Sequence, residues 1–172
     1  QIQALKVSVL ANIRTPRYHH AMSNDFTLEY AISVSPEQVF CALTDISEQR
    51  QWLPGLTECV PLDNENAAET ALKYVRKLDG HESAEVVHVK ESTPHHTYAV
   101  SLTSRVGSSQ NTVSYRYTLD ATDDGCRLAI TCIVHTAPST STWAVDMLST
   151  MLKGRLESDC QALMDYVGSI GG

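Results

Sequence analysis

The sequence predicts a single α+β domain: a curved antiparallel sheet of about seven strands wrapped on a long C-terminal helix, with two short helices after the first strand. Three observations carry this expectation. Alternating apolar and polar runs, two of them meeting at Asp79-Gly80 and Asp124-Gly125, mark antiparallel hairpins, because Asp-Gly supplies the positive φ of a two-residue turn. Two helix-start signatures follow one another directly after the first run. One apolar stripe at helical spacing occupies Thr142–Val167.

Taken in order, Phe26–Val34 alternates and is rich in strand formers. Ser35 is then an N-cap, Pro36 suits the first helical position and Gln38 completes a capping box, with Val39, Phe40 and Leu43 as the apolar face. Asp45 caps a second short helix, which Pro54 and Gly55 stop. A meander follows: Leu56–Pro61, Glu69–Leu78, His81–Glu91, a turn at Thr93–His96, Thr97–Ser104, Asn111–Ala121 and Cys126–His135. The last helix carries Val145, Leu148, Leu152, Leu156, Cys160, Leu163 and Val167 at spacings of three and four, and is expected to end at Gly168. About 25 helical residues span roughly 37 Å. Seven strands cover roughly 29 Å. The helix is therefore long enough to lie across the whole sheet, with the short helices closing one end.

Composition bounds the function. The chain has 172 residues, one domain's worth, enough to hold a core without a metal or disulfide staple. Its apolar fraction of 42% excludes disorder, and no apolar run approaches the roughly 20 residues that cross a bilayer. Thirteen Lys and Arg stand against twenty Asp and Glu, so a general nucleic-acid surface is not expected. Residues 1–24 carry Lys6, Arg14 and Arg17 and no acid, leaving ten bases and all twenty acids to the rest. That shift marks a basic N-terminal appendage (1–24) before the domain (25–168) and a short tail (169–172). The appendage lacks the features of a secretory signal, begins with Gln1 as a processed or trimmed segment would, and offers Met22 as an alternative start. Five scattered cysteines without a C-x-x-C pattern read as reduced, mostly buried thiols of a cytoplasmic protein. No metal is expected, since the histidines fall in separate segments or as adjacent pairs whose side chains diverge on a strand. No phosphate loop, dinucleotide fingerprint or G-x-S-x-G is present, and no cofactor is expected.

The string F-T-L-E-Y-A-I-S-V-S-P-E-Q-V-F-C-A-L-T-D, the segment Trp52-Leu53-Pro54-Gly55-Leu56, the meander and the long final helix resemble the START-related superfamily. That superfamily is also called SRPBCC or helix-grip, and the resemblance is to its polyketide cyclase/dehydrase and lipid-transport branch. It covers about residues 25–168 and implies an internal cavity between sheet and helix. It implies no common catalytic set.

Hairpin register then nominates the cavity-facing side chains. Around Asp79-Gly80, Lys77 opposes Glu82 as an outward charge pair, while Leu72 opposes Val87, Tyr74 opposes Glu85, and Arg76 opposes Ser83 with Glu85 diagonal to it. Leu72 and Val87 mark the inner face, so Tyr74, Arg76 and Glu85 point inward; a wet, structural Arg76–Glu85 pair at the sheet rim is the alternative. Around Asp124-Gly125, Leu119 opposes Ile130, Tyr117 opposes Cys132 and Tyr115 opposes Val134, with Arg116, Thr118 and Thr131 outside. The candidate ligand-binding set is Trp52, Tyr74, Arg76, Glu85, Tyr98, Tyr115, Tyr117, Met147 and Met151, each weighed against plain packing. Trp143 is a further candidate for the cavity mouth. Gly154, in mid-helix, requires a close approach to the sheet or to a ligand to justify its cost.

The expected function is binding of a small hydrophobic ligand (a lipid, isoprenoid, polyketide or aromatic) by a monomer or homodimer with no stable membrane insertion. The first alternative is an aromatic polyketide cyclase/dehydratase, with Glu85 as base, Arg76 and Tyr74 as oxyanion contacts, and Tyr115 or Tyr117 donating a proton or orienting the ring. The second is a protein-interaction adaptor of the same fold, which predicts an exposed apolar patch.

Overall fold

The computed structural model describes residues 24–62, 70–78, 80–106, 109–136 and 140–171. The element order is β1 (Asn24–Ile32), α1 (Pro36–Thr44), α2 (Ile46–Trp52), β2 (Leu56–Leu62), β3 (Ala71–Leu78), β4 (His81–Thr93), β5 (Thr97–Val106), β6 (Ser109–Thr122), β7 (Gly125–His135) and α3 (Thr142–Ile170). The strands form one antiparallel sheet in the order β1-β7-β6-β5-β4-β3-β2. The expected strand–helix–helix–meander–helix architecture is the one found. The basic leading segment lies outside the described residues up to Asn24, as do Glu69 and Asp79.

Local chemistry sets the ends of the short helices. The Ser35 hydroxyl accepts from the Gln38 N–H at 3.4 Å while the Gln38 side chain accepts from the Ser35 N–H at 3.2 Å, closing the capping box. Asp45 accepts from the Ser47 and Glu48 N–H groups at 2.7 and 3.3 Å to start α2. Gly55 then turns the chain at φ +70°, and a Cβ there would lie 2.4 Å from the Lys77 carbonyl oxygen.

The β3–β4 register is the one read from the sequence, Leu72 opposite Val87 and Tyr74 opposite Glu85. The β6–β7 register differs by two residues: Tyr115 opposes Cys132, Tyr117 opposes Ile130 and Leu119 opposes Leu128. The turn consists of Asp123 and Asp124, and Gly125 is the first residue of β7. Packing against β1 explains the shift. A Cβ on Gly125, at φ +144°, would lie 2.1 Å from the Ile32 carbonyl oxygen, so the glycine is needed for that approach. A two-residue slip keeps every side chain on its own face, and the inner set is unchanged.

The core gathers the inner sheet face, α1 and the C-terminal half of α3, with Leu128, Ile130, Cys132, Val39 and Val167 fully buried. Each such aliphatic side chain stabilises the fold by roughly 1.5–3 kcal/mol. Along α3 the buried residues are Val145, Leu156, Cys160, Leu163 and Val167, while Leu148 and Leu152 are only half-buried. The helix continues through Gly168 to Ile170 and is capped by Gly171, whose N–H reaches the Val167 carbonyl at 3.1 Å. Gly168 and Gly154 have no neighbour within 4 Å of an added Cβ, so close packing explains neither.

Candidate functional site

Two adjoining cavities lie between the sheet and α3. The inner one, of about 70 Å³, is roofed by α2 and lined by inward residues of β3, β4, β5 and β6. The outer one, of about 630 Å³, opens beneath the first half of α3 and is bordered there by Leu148, Met151 and Leu152. Arg76, Glu85, Leu102, Tyr115, Arg155 and Asp159 border both, so these residues form the partition between the chambers.

The partition is held by two ion pairs across the interior. Arg76 on β3 donates through Nη1 and Nη2 to the Asp159 carboxylate on α3 at 2.9 and 2.8 Å. Its Nε and Nη2 also donate to the Pro54 carbonyl at 3.0 and 2.8 Å. Glu85 on β4 accepts from both Nη atoms of Arg155 at 2.7 and 2.9 Å. Arg155 and Asp159 are four residues apart on α3 and so share a face. Burial alone would lower the Arg155 pKa, but the hydrogen bonds and charge of Glu85 outweigh it and the pKa is raised. Two cations and two anions are thereby balanced where a lone charge would cost several kcal/mol.

This corrects the expected Arg76–Glu85 pair: the two residues share the inner face but bond to different partners on α3. It also corrects the rim alternative, because Arg76 is 3% and Glu85 8% exposed. The partners carried a sequence signal that went unread. Leu152, Arg155, Asp159 and Leu163 follow one another at helical spacings of three, four and four.

Four tyrosines line the inner chamber. The Tyr74 hydroxyl donates to the Gln49 Oε1 at 2.5 Å, and Gln49 Nε2 donates to the Leu43 carbonyl at 2.5 Å, so this amide, 3% exposed, is fixed in orientation. Tyr98 and Tyr117 lie 6.1 Å apart between ring centroids, and Tyr115 and Tyr117 6.5 Å. Burial pushes the Tyr98 phenol up to about 12 and raises those of Tyr74, Tyr115 and Tyr117 as well, so all four are neutral at physiological pH. Trp52 also lines this chamber, its indole N–H donating to the Ala42 carbonyl at 2.8 Å.

Of the remaining candidates, Met151 borders the outer chamber, whereas Met147 borders neither and is 47% exposed. Trp143 is likewise 71% exposed and away from both. Gln49, Arg155 and Asp159 complete the site without having been singled out from the sequence. Among the described residues no group of His, Cys, Asp and Glu is placed to hold a metal ion, and no helix is long and apolar enough to cross a membrane.

Comparison with solved structures returns the same fold. Ara h 8.0201 is 18% identical over 86% of this chain and 99% of that one, with a TM-score of 0.67. The di-domain ARO/CYC StfQ from the steffimycin biosynthetic pathway is 10% identical over 88% of this chain, with a TM-score of 0.71, and this chain spans 53% of its length. A putative uncharacterized protein from Rhizobium leguminosarum is 12% identical over 86% of this chain and 96% of that one, with a TM-score of 0.67. At these identities the likeness is one of fold. No curated protein sequence matches. The family described as polyketide cyclase / dehydrase and lipid transport matches residues 24–168, and the chain belongs to that family.

Proposed function

We propose that the protein binds a small, mostly apolar molecule in the paired cavities between the sheet and α3. The observation that carries this reading is the size and lining of those cavities. A chamber of about 630 Å³ walled by Leu102, Val113, Leu148, Met151 and Leu152 falls within the roughly 300–1,000 Å³ of ligand pockets. A few convergent polar groups stand at its inner end, as such pockets require to orient a ligand.

The same geometry favours binding over cyclase or dehydratase chemistry. Glu85 gives both carboxylate oxygens to Arg155, and Arg76 makes four hydrogen bonds to Asp159 and Pro54. Neither is free as a base or an oxyanion donor. The adaptor reading has one feature in its favour, the exposed stripe of Trp143, Met147 and Met151 at fourfold spacing on α3. Native mass spectrometry after mild extraction, followed by thermal shifts across a lipid and aromatic panel, tests the proposal. A bound small molecule and a rise in Tm are expected. An empty protein that no compound stabilises would overturn binding and leave the adaptor reading.

A further inference from the structure

Resting on the binding reading above, we infer that the ligand carries a small uncharged oxygen group, a hydroxyl or a carbonyl. The Tyr115 and Tyr117 hydroxyls receive it in the inner chamber while its apolar body fills the outer one.

Three independent features converge on this. The first is size: about 70 Å³ admits a group of only a few non-hydrogen atoms, whereas the adjoining 630 Å³ holds a ring system or chain. The two spaces meet at Tyr115, which borders both. The second is charge. The two arginines and two carboxylates of the partition already neutralise one another, so a charged head group would have to compete with an existing bidentate pair. The third is hydrogen-bond accounting. Tyr74 is satisfied by Gln49, and the Tyr98 hydroxyl lies beside the same amide. Among the described residues no protein group makes a hydrogen bond to the Tyr115 or Tyr117 hydroxyl. Polar groups in an interior are ordinarily partnered, and two neighbouring phenols on one strand face that lack protein partners are placed for a partner from outside. A phenol both donates and accepts, which suits a hydroxyl or a carbonyl equally.

A matched series with one apolar body tests the inference: naphthalene, 2-naphthol, 2-acetylnaphthalene and 2-naphthoate, titrated by calorimetry or fluorescence. Wild type is expected to bind 2-naphthol and 2-acetylnaphthalene about tenfold more tightly than naphthalene, one neutral hydrogen bond's worth. In Tyr115→Phe/Tyr117→Phe the preference is expected to shrink to within about threefold, with Tm unchanged, since the lost hydroxyls have no protein partner. Tyr74→Phe, which loses the bond to Gln49, is the control expected to lower Tm and keep the preference. Equal binding of naphthalene and its oxygenated forms, or a preference that survives in the double variant, overturns the inference and leaves the binding reading intact. So does tightest binding of 2-naphthoate with loss in Arg155→Met, because Arg155 has N–H groups beyond the two given to Glu85. Failure of all four compounds to bind overturns the inference and the binding reading together.

Discussion

Replacing Arg76 by methionine is expected to lower the stability of the domain by about 3–5 kcal/mol. Arg76 is 3% exposed and its guanidinium makes four hydrogen bonds, two to Asp159 and two to Pro54. Methionine preserves the length of the apolar stem, so the loss is electrostatic and not a cavity. What remains is the Asp159 carboxylate at 15% side-chain exposure without its cation, and a carbonyl without its donors. For a domain of this size the loss corresponds to a fall in Tm of roughly 6–20 °C, against a total stability of about 5–15 kcal/mol. Asp159→Leu alone should cost a similar amount, by burying an uncompensated guanidinium. The double variant Arg76→Met/Asp159→Leu should be much less damaged than the two losses added, because exchanging a whole buried ion pair for apolar residues is often nearly neutral. Urea unfolding followed by far-UV circular dichroism supplies all four corners of the cycle. Additivity within the roughly 0.5 kcal/mol of independent sites, or a single-variant loss below about 1 kcal/mol, would refute the coupling and make the pair a wet feature of the rim.

Three further outcomes follow from the same structure. Gly154→Ala should stabilise the domain by up to about 1 kcal/mol, since the added Cβ meets nothing within 4 Å, whereas Gly125→Ala should cost more than about 3 kcal/mol because its Cβ would lie 2.1 Å from the Ile32 oxygen; thermal melts of the two variants moving the same way would contradict this. Stability should decline above about pH 9, first as unfolded thiols lose protons that buried Cys132 and Cys160 hold to about 12, and more steeply above about pH 10. The unfolded tyrosines lose their protons near 10.0 while folded Tyr98 holds its own to about 12, so the native state binds more protons in that interval and each such phenol removes about 1.4 kcal/mol per pH unit. A urea midpoint that is constant from about pH 9 to 11.5 would disprove it. Of the five thiols only Cys41 is exposed, so mass spectrometry after alkylation of the native protein should find one label, with Cys59, Cys126, Cys132 and Cys160 labelled only in urea; burial also pushes the Cys132 and Cys160 pKa values up to about 12. Several labels under native conditions would mean that the core opens.

Element types and strand faces were legible because their signals are local. The capping box at Ser35, the N-cap at Asp45, the alternation of β3 and β4, and the α3 stripe each depend on residues close to one another in sequence. Although the β6–β7 turn lies one residue before Asp124-Gly125 and the pairing shifts by two, parity keeps Tyr115 and Tyr117 inward, since a strand's faces repeat every two residues. The charge partners were a different matter. Arg76 lies 83 residues from Asp159, and Glu85 lies 70 from Arg155. Which carboxylate meets which guanidinium depends on the rotation and height of α3 over the sheet. Facing side chains along a single helix or strand do not encode that geometry; the packing of Leu156, Cys160 and Leu163 against the whole inner face decides it. The same docking sets the spaces left between α3 and the sheet, so the division into a narrow chamber and a wide one is a property of the tertiary structure alone.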